Sequence, residues 1–285
     1  MQIRPRRSLL YMPGSNPRAL EKARGLPADG LILDMEDAVA PDAKQQAREQ
    51  IAAAVAEGGY GHREIMVRIN ALSTEWGSAD IDAVCAFATA PDAVLIPKID
   101  RGQDVVEAIS AFEAAGVADS VDMWIMAETP TCILNIAEVA SSHSRLRGIV
   151  MGTSDLSKDT RVRHTPDRLG FIAALNLCVY AARANGLDII DGVQLDLEDE
   201  ALLRQSCEQG RDLGFDGKSL IHPKQLAAAN ETFAPSEAEI NSAREIIVGF
   251  EAAQAEGKGV VVVNGRLVEN LHVEEARRQL ALAEA

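Results

Sequence analysis

The sequence predicts an α/β protein: a (β/α)8 TIM barrel followed by a small C-terminal extension of helix and strand. Three observations carry this. Eight short, apolar, β-rich runs recur along the chain, and Ala-rich amphipathic stretches separate them. The length of 285 residues also matches one barrel of roughly 250 residues plus an added element.

The strand runs are SLLYMPG (8–14), GLILDME (30–36), EIMVRIN (64–70), AVLIPKI (93–99), VDMWIMAE (121–128), RGIVMGTSD (147–155), LDIIDGV (187–193) and the segment around GKSLIHP (217–223). They are apolar almost throughout rather than alternating, the pattern of parallel strands buried on both faces. Helices are predicted over 16–25, 41–57, 78–90, 102–115, 130–141, 166–185, 198–212 and 223–231. Asn16-Pro17 and Pro41-Asp42 start the first two with a cap or a first-turn proline.

The barrel is complete near residue 232, which gives a catalytic domain over 1–232 and an extension over 233–285. A Pro235-Ser236 hinge opens a helix over 236–256, Gly257-Lys258-Gly259 ends it, and the strand VVVVNGRLV (260–268) and a last helix follow. A tail this short holds a core of its own poorly, so it is expected to pack on the barrel or on a neighbouring subunit.

Composition narrows the function. With 47% hydrophobic and 25% charged residues the chain can bury a sizeable core and does not read as disordered. The net charge of −15 argues against a nucleic-acid binder, which needs a basic face, but leaves room for an anionic substrate met by local cations. No apolar run approaches the ~20 residues that span a bilayer, and the N-terminal LLYM is too short for a signal-peptide core. A soluble cytoplasmic protein is expected. The four cysteines (Cys85, Cys132, Cys178, Cys207) stand far apart in helical stretches without CxxC spacing, and so read as small buried hydrophobes.

The C-terminal ends of the strands collect the chemistry. The second offers Asp34, Glu36 and Asp37, the third Arg68 and Asn70, the fourth Lys98, the fifth Glu128 and the sixth Asp155. That rim is where barrels place their active sites. Glu128 and Asp155 on neighbouring strands suit Mg²⁺ or Mn²⁺, which take oxygen ligands and leave positions for water and substrate. Zinc is disfavoured, because no His or Cys stands beside these carboxylates. Arg68 offers a planar fork to a carboxylate. Metal and guanidinium together select a small 2-oxo acid and polarise its carbonyl. Glu36 and Asp37 are the nearest carboxylates for moving a proton, directly or through a water.

The motifs RRSLLYMPGSNPRALEKA, LILDMEDAVAPDAK, VRIN, LIPK, AETP, GTSDL, GFDGKSLIHPKQ and NGRLVEN, in this order, resemble the citrate lyase β-subunit-like family of the HpcH/HpaI aldolase superfamily. The resemblance covers nearly the whole chain. It implies a Mg²⁺-dependent barrel that cleaves or forms 3-hydroxyacyl thioesters of CoA or of an acyl carrier protein. It also implies homotrimers or hexamers, with the C-terminal segment of one chain capping the next chain's site. Carried over by motif, Glu128 and Asp155 are the metal ligands and Arg68 the oxo-acid clamp. Tyr11, Lys22, Ile221 and His222 are the CoA-contacting positions, and Glu269 in NGRLVEN handles the enolate proton.

This chain departs from malyl-CoA lyases at Asn16, where they carry Arg, and at Glu269, where they carry Asp. His222 also has a plainer reading, as the cap of a helix that begins at Pro223. The loop SKDTRVRHTPDR (157–168), with Lys158, Arg161 and Arg163, is short and charged like that of the stand-alone members. The leading expectation is a carbon–carbon lyase acting on citramalyl-, malyl- or citryl-CoA to give a 2-oxo acid and an acyl-CoA. The alternatives are a malyl-CoA thioesterase, the β subunit of a citrate lyase complex acting on a carrier-protein thioester, and an aldolase of free hydroxy-oxo acids. Asp37 stands where the last of these usually places a catalytic His, which counts against it.

Overall fold

The computed structural model describes residues 4–284. Two compact units divide the chain, Arg6–Asn230 and a second that holds the residues from Glu231 onward.

The first unit is a closed barrel. Strands β1 (Ser8–Pro13), β2 (Gly30–Asp34), β3 (Glu64–Arg68), β4 (Ala93–Ile96), β5 (Asp122–Ala127), β6 (Leu146–Met151), β7 (Asp188–Asp191) and β8 (Gly217–Leu220) neighbour one another in sequence order. All pairings are parallel, and β8 returns to β1 through Ser8↔Lys218 and Leu10↔Leu220. Leu9, Ile32, Met66, Leu95, Trp124, Val150 and Ile190 form the interior cluster. The alternate residues, among them Leu10, Leu31, Val67, Val94, Ile125 and Ile149, are buried as well. Two buried faces are why the runs read as continuous apolar stretches.

Trp124 fills the middle of the barrel because β6 contributes Gly148 opposite it. A Cβ at Gly148 would lie 2.3 Å from the indole ring. Below the indole, Arg6 donates to Glu64 through Nε at 2.6 Å and Nη2 at 2.7 Å. The same guanidinium pairs with Asp188 and stacks 5.0 Å from the Trp124 ring. Glu64 and Asp188 begin their strands, so this cluster closes the N-terminal end of the barrel.

The helices of this unit are α1 (Pro17–Ala23), α2 (Lys44–Glu57), α3 (Gly77–Cys85), α4 (Gly102–Ala114), α5 (Pro130–Leu134), α6 (Ile136–Ser141), α7 (Thr153–Thr160), α8 (Ile172–Ala184) and α9 (Glu200–Leu213). Helix α10 (Leu226–Phe233) follows β8. Asn16 caps α1 by accepting from the Ala19 N–H at 3.1 Å, ahead of Pro17 in the first turn. The four cysteines fall on α3, α5, α8 and α9. Among the described residues, no helix is long and apolar enough to cross a membrane.

The second unit contains α11 (Glu237–Ala255), β9 (Val261–Val263), β10 (Arg266–Val268) and α12 (Asn270–Glu284). Ser236 and Glu239 form a capping box at the start of α11. The predicted single strand over 260–268 is a hairpin instead, turning at Asn264 and Gly265, which have φ of 51° and 76°. Asn-Gly is the pair such a two-residue turn favours, because both positions need positive φ. Phe250, Val268 and Val273 form a small buried cluster, with Ile246, Ile247, Val261 and Val263 packed on it.

Candidate active site

Strands β2 and β3 place Asp34 directly beside Arg68, their backbones in register. Asp34 is fully buried and takes both ends of the Arg68 fork, Nε at 2.7 Å and Nη2 at 2.6 Å. The fork expected to meet a substrate carboxylate is therefore occupied by Asp34, because adjacent in-register residues share one face of the sheet. Arg68 keeps Nη1 for other partners, 2.8 Å from Glu36 and 3.5 Å from Asp37. The Tyr11 ring lies 4.8 Å from the guanidinium, so Tyr11 belongs to this cluster.

Glu36 sits on a braced loop. The Asp34 carboxylate also accepts from the N–H groups of Glu36 (2.9 Å) and Ala38 (3.0 Å). Lys44 Nζ donates to the carbonyls of Met35 (2.8 Å) and Glu36 (2.7 Å), and Asn70 Nδ2 donates to Met35 (2.9 Å). Burial pushes the Glu36 carboxyl up to about 8, against the pull of Arg68. Asp37, by contrast, is exposed.

Glu128 follows β5 directly and is fully buried. Asp155 does not stand at a strand end as expected. Strand β6 stops at Met151, and Asp155 lies in the first turn of α7, after Gly152 as its N-cap. Lys98, left-handed at φ 55°, joins the two. Its N–H donates to Glu128 Oε1 at 2.8 Å. Its Nζ lies 2.6 Å from Asp155 Oδ2 and 3.3 Å from Glu128 Oε1. Burial lifts the Glu128 carboxyl to about 7, with Lys98 opposing. At Asp155 burial also pushes upward, but the Lys98 ammonium prevails and holds the carboxyl below its ordinary range.

These residues fit an oxygen-bound divalent cation. Glu128 Oε2 is buried without a hydrogen-bond partner, an acceptor that a cation would satisfy. Gly152 keeps the space beside it open, since a Cβ there would lie 2.3 Å from Glu128 Cβ and 2.8 Å from Oε2. Among the described residues, no three His, Cys, Asp or Glu side chains gather into a metal cage. Two carboxylates, with water and substrate completing the shell, are what Mg²⁺ commonly accepts.

The remaining candidates separate. His222 accepts from the Lys224 N–H at 3.1 Å through Nδ1 and caps the turn Pro223–Gln225, the plainer of its two readings. Ile221 is exposed just after β8, and Lys22 is exposed on α1. Glu269 lies in the second unit, where its N–H donates to His272 Nδ1 at 3.0 Å. The charged loop is partly helical, since α7 runs to Thr160; Lys158 belongs to α7, and Arg161 is its left-handed C-cap. A cavity of about 250 Å³, with Thr153, His164, Arg168, Phe171 and Gln194 in its wall, includes neither Arg68 nor Glu128.

Sequence reasoning missed the supports of the site. Asp34 stands in the acidic run without an assigned role, and Lys44, which is buried, falls in the predicted helix over 41–57 with no role of its own. The signal available was Lys44 at the N-terminal end of a helix, where a cation opposes the helix dipole unless another partner holds it.

The family model for HpcH/HpaI aldolase/citrate lyase matches residues 7–223. A (3S)-malyl-CoA thioesterase of Cereibacter sphaeroides is 53% identical over 285 residues, covering all of this chain and 96% of that protein. The citrate lyase subunit beta of Escherichia coli is 36% identical, covering 99% of this chain and 95% of its own. CitE from Mycobacterium tuberculosis, crystallised with magnesium, acetoacetate and coenzyme A, is similar with a TM-score of 0.76 and 26% identity, covering 99% and 98% of the two chains.

Proposed function

The chain belongs to the HpcH/HpaI aldolase/citrate lyase family, and from that premise we propose that it is a divalent-metal-dependent enzyme acting on (3S)-malyl-CoA, hydrolysing the thioester to malate and free CoA. The observation that carries this reading is the 53% identity to a malyl-CoA thioesterase across the full chain. The paired carboxylates and the Arg68–Glu36 group support it. Glu128 and Asp155 would hold the metal, which when bound would supply Lewis-acid polarisation of the substrate.

Arg68 acts through Nη1 and its delocalised charge, steadying negative charge that develops beside Glu36. Tyr11 packs against the guanidinium and holds it in place. Glu36, with its carboxyl near 8, takes the proton of the attacking water and returns it to the departing thiolate as the carbon–sulfur bond breaks. Asp37 faces solvent and is the second carboxylate within reach of that water. Lys22, Ile221 and His222 are assigned to the CoA moiety on the family resemblance alone. On the same ground, Glu269 of a neighbouring copy takes part in proton handling within a cytoplasmic homotrimer or hexamer.

A second reading is carbon–carbon cleavage, favoured by the identity to the citrate lyase subunit beta and by the CitE complex. There Glu36 removes the proton of the β-hydroxyl group, the bond between the hydroxyl-bearing carbon and the thioester α-carbon breaks, and an oxo acid and an acyl-CoA enolate separate. In that reading the thioester is carried by CoA or by an acyl carrier protein. Incubating the full chain with (3S)-malyl-CoA and Mg²⁺ distinguishes the outcomes. Free thiol with malate supports hydrolysis. Glyoxylate with acetyl-CoA replaces it with the lyase reading. No turnover of malyl-, citramalyl- or citryl-CoA overturns both.

A further inference from the structure

Lys98 has three features that a rim ion pair does not need. It is a non-glycine residue held at φ 55°, a conformation that stores strain and persists only where its surroundings enforce it. In that conformation its main-chain N–H and its side-chain ammonium reach the same carboxylate, Glu128. The ammonium also touches Asp155 at 2.6 Å, so it bridges the two groups assigned to the metal. Meanwhile Glu128 Oε2 stays buried and without a partner. Lys98 is the cation in contact with both carboxylates, and it satisfies only part of the donor set.

We propose that Lys98 is a tethered counter-cation: its ammonium holds Glu128 and Asp155 together before a divalent ion binds, and is displaced when one does. This rests on the reading of Glu128 and Asp155 as metal ligands. The charges support the exchange. Two neighbouring carboxylates, Glu128 fully buried and Asp155 partly exposed, repel one another without a cation, and one ammonium offsets half of their charge. A dication offsets all of it, after which a second cation a few ångströms away is repelled. The Lys98 N–H is not displaced with the ammonium, because its hydrogen bond to Glu128 Oε1 is made by the main chain. Lys98 is thus a positioning residue with two separable parts, a main-chain anchor and a mobile charge. Each binding event includes the displacement of the second part, so Lys98 lowers apparent metal affinity while keeping the metal-free site in shape.

The test is calorimetric titration of the purified full chain with Mg²⁺, alongside thermal melts in chelator and in saturating Mg²⁺. The variants are Lys98→Met, Lys98→Gln and, as the control on the underlying reading, Glu128→Gln. Both Lys98 variants are expected to bind Mg²⁺ on the order of tenfold more tightly, since no ammonium has to leave. They are expected to melt lower than wild type in chelator and to gain more from Mg²⁺ than wild type gains. Equal or weaker binding by both folded Lys98 variants, with Glu128→Gln still abolishing binding, overturns the counter-cation and leaves the metal ligands standing. Undiminished Mg²⁺ binding by Glu128→Gln overturns the metal reading and this inference with it.

Discussion

Asp34 closes on Arg68 through two parallel hydrogen bonds, 2.7 Å from Nε and 2.6 Å from Nη2, with the carboxylate wholly removed from solvent. A pair this buried is sensitive to losing one member. Asp34→Ala leaves a buried guanidinium with part of its charge unanswered and is expected to destabilise the fold by about 3–5 kcal/mol. Asp34→Leu with Arg68→Leu removes both charges and is expected to destabilise less than Asp34→Ala alone. Urea denaturation of the three proteins checks this, and a double variant weaker than Asp34→Ala would contradict it.

Gly152→Ala tests the space beside Glu128. The backbone there, at φ −100°, is outside the left-handed region, so the effect is steric: the new methyl would sit 2.3 Å from Glu128 Cβ. Overpacking of this kind destabilises by about 1–3 kcal/mol. Mg²⁺ affinity is expected to fall at least about tenfold, because Glu128 must move to admit the methyl group. Titration with Mg²⁺ reads the loss directly.

Glu36 gives a pH dependence with a definite sign. Its folded-state value near 8 lies above its ordinary 4.5, so the folded protein holds this proton more tightly than the unfolded chain. Its contribution to stability is complete below pH 4.5 and is lost as pH rises through about 8. Melting temperatures of Glu36→Gln, which cannot ionise, are expected to fall less steeply than wild type over that window. Turnover has the opposite slope, since the base must be deprotonated. The wild-type rate is expected to climb toward pH 8, and Glu36→Gln to lose about 10²–10⁴-fold.

Glu269→Gln is expected to slow turnover by at least about tenfold while leaving KM and melting temperature near wild type, because the change removes a proton acceptor and little packing. Steady-state kinetics separates the two parameters. A wild-type kcat would remove Glu269 from the reaction.

How far the sequence can be read depends on what surrounds each residue. The eight strands are legible because both of their faces are buried, and a short uninterrupted apolar run between helical stretches fits little except a strand packed on two sides. The hairpin of the second unit reads as one strand although Asn264-Gly265 marks the turn, because the flanking valines and leucine hide it. Asp155 reads as a strand-end residue because the apolar run RGIVMG leads into Thr153 and Ser154, and only the main chain shows that Gly152 starts a helix. Arg68, Glu36, Glu128 and Asp155 are visible as charges that follow apolar runs. Their partners are not. Which carboxylate faces Arg68 depends on the register between β2 and β3, and periodicity along one strand does not contain that.

The Arg6 cluster under Trp124 has a consequence for traffic. With guanidinium, carboxylates and indole at one end of the cylinder and a packed apolar interior above them, nothing passes through the barrel, and whatever meets Glu128 and Arg68 comes by way of the strands' C-terminal rim.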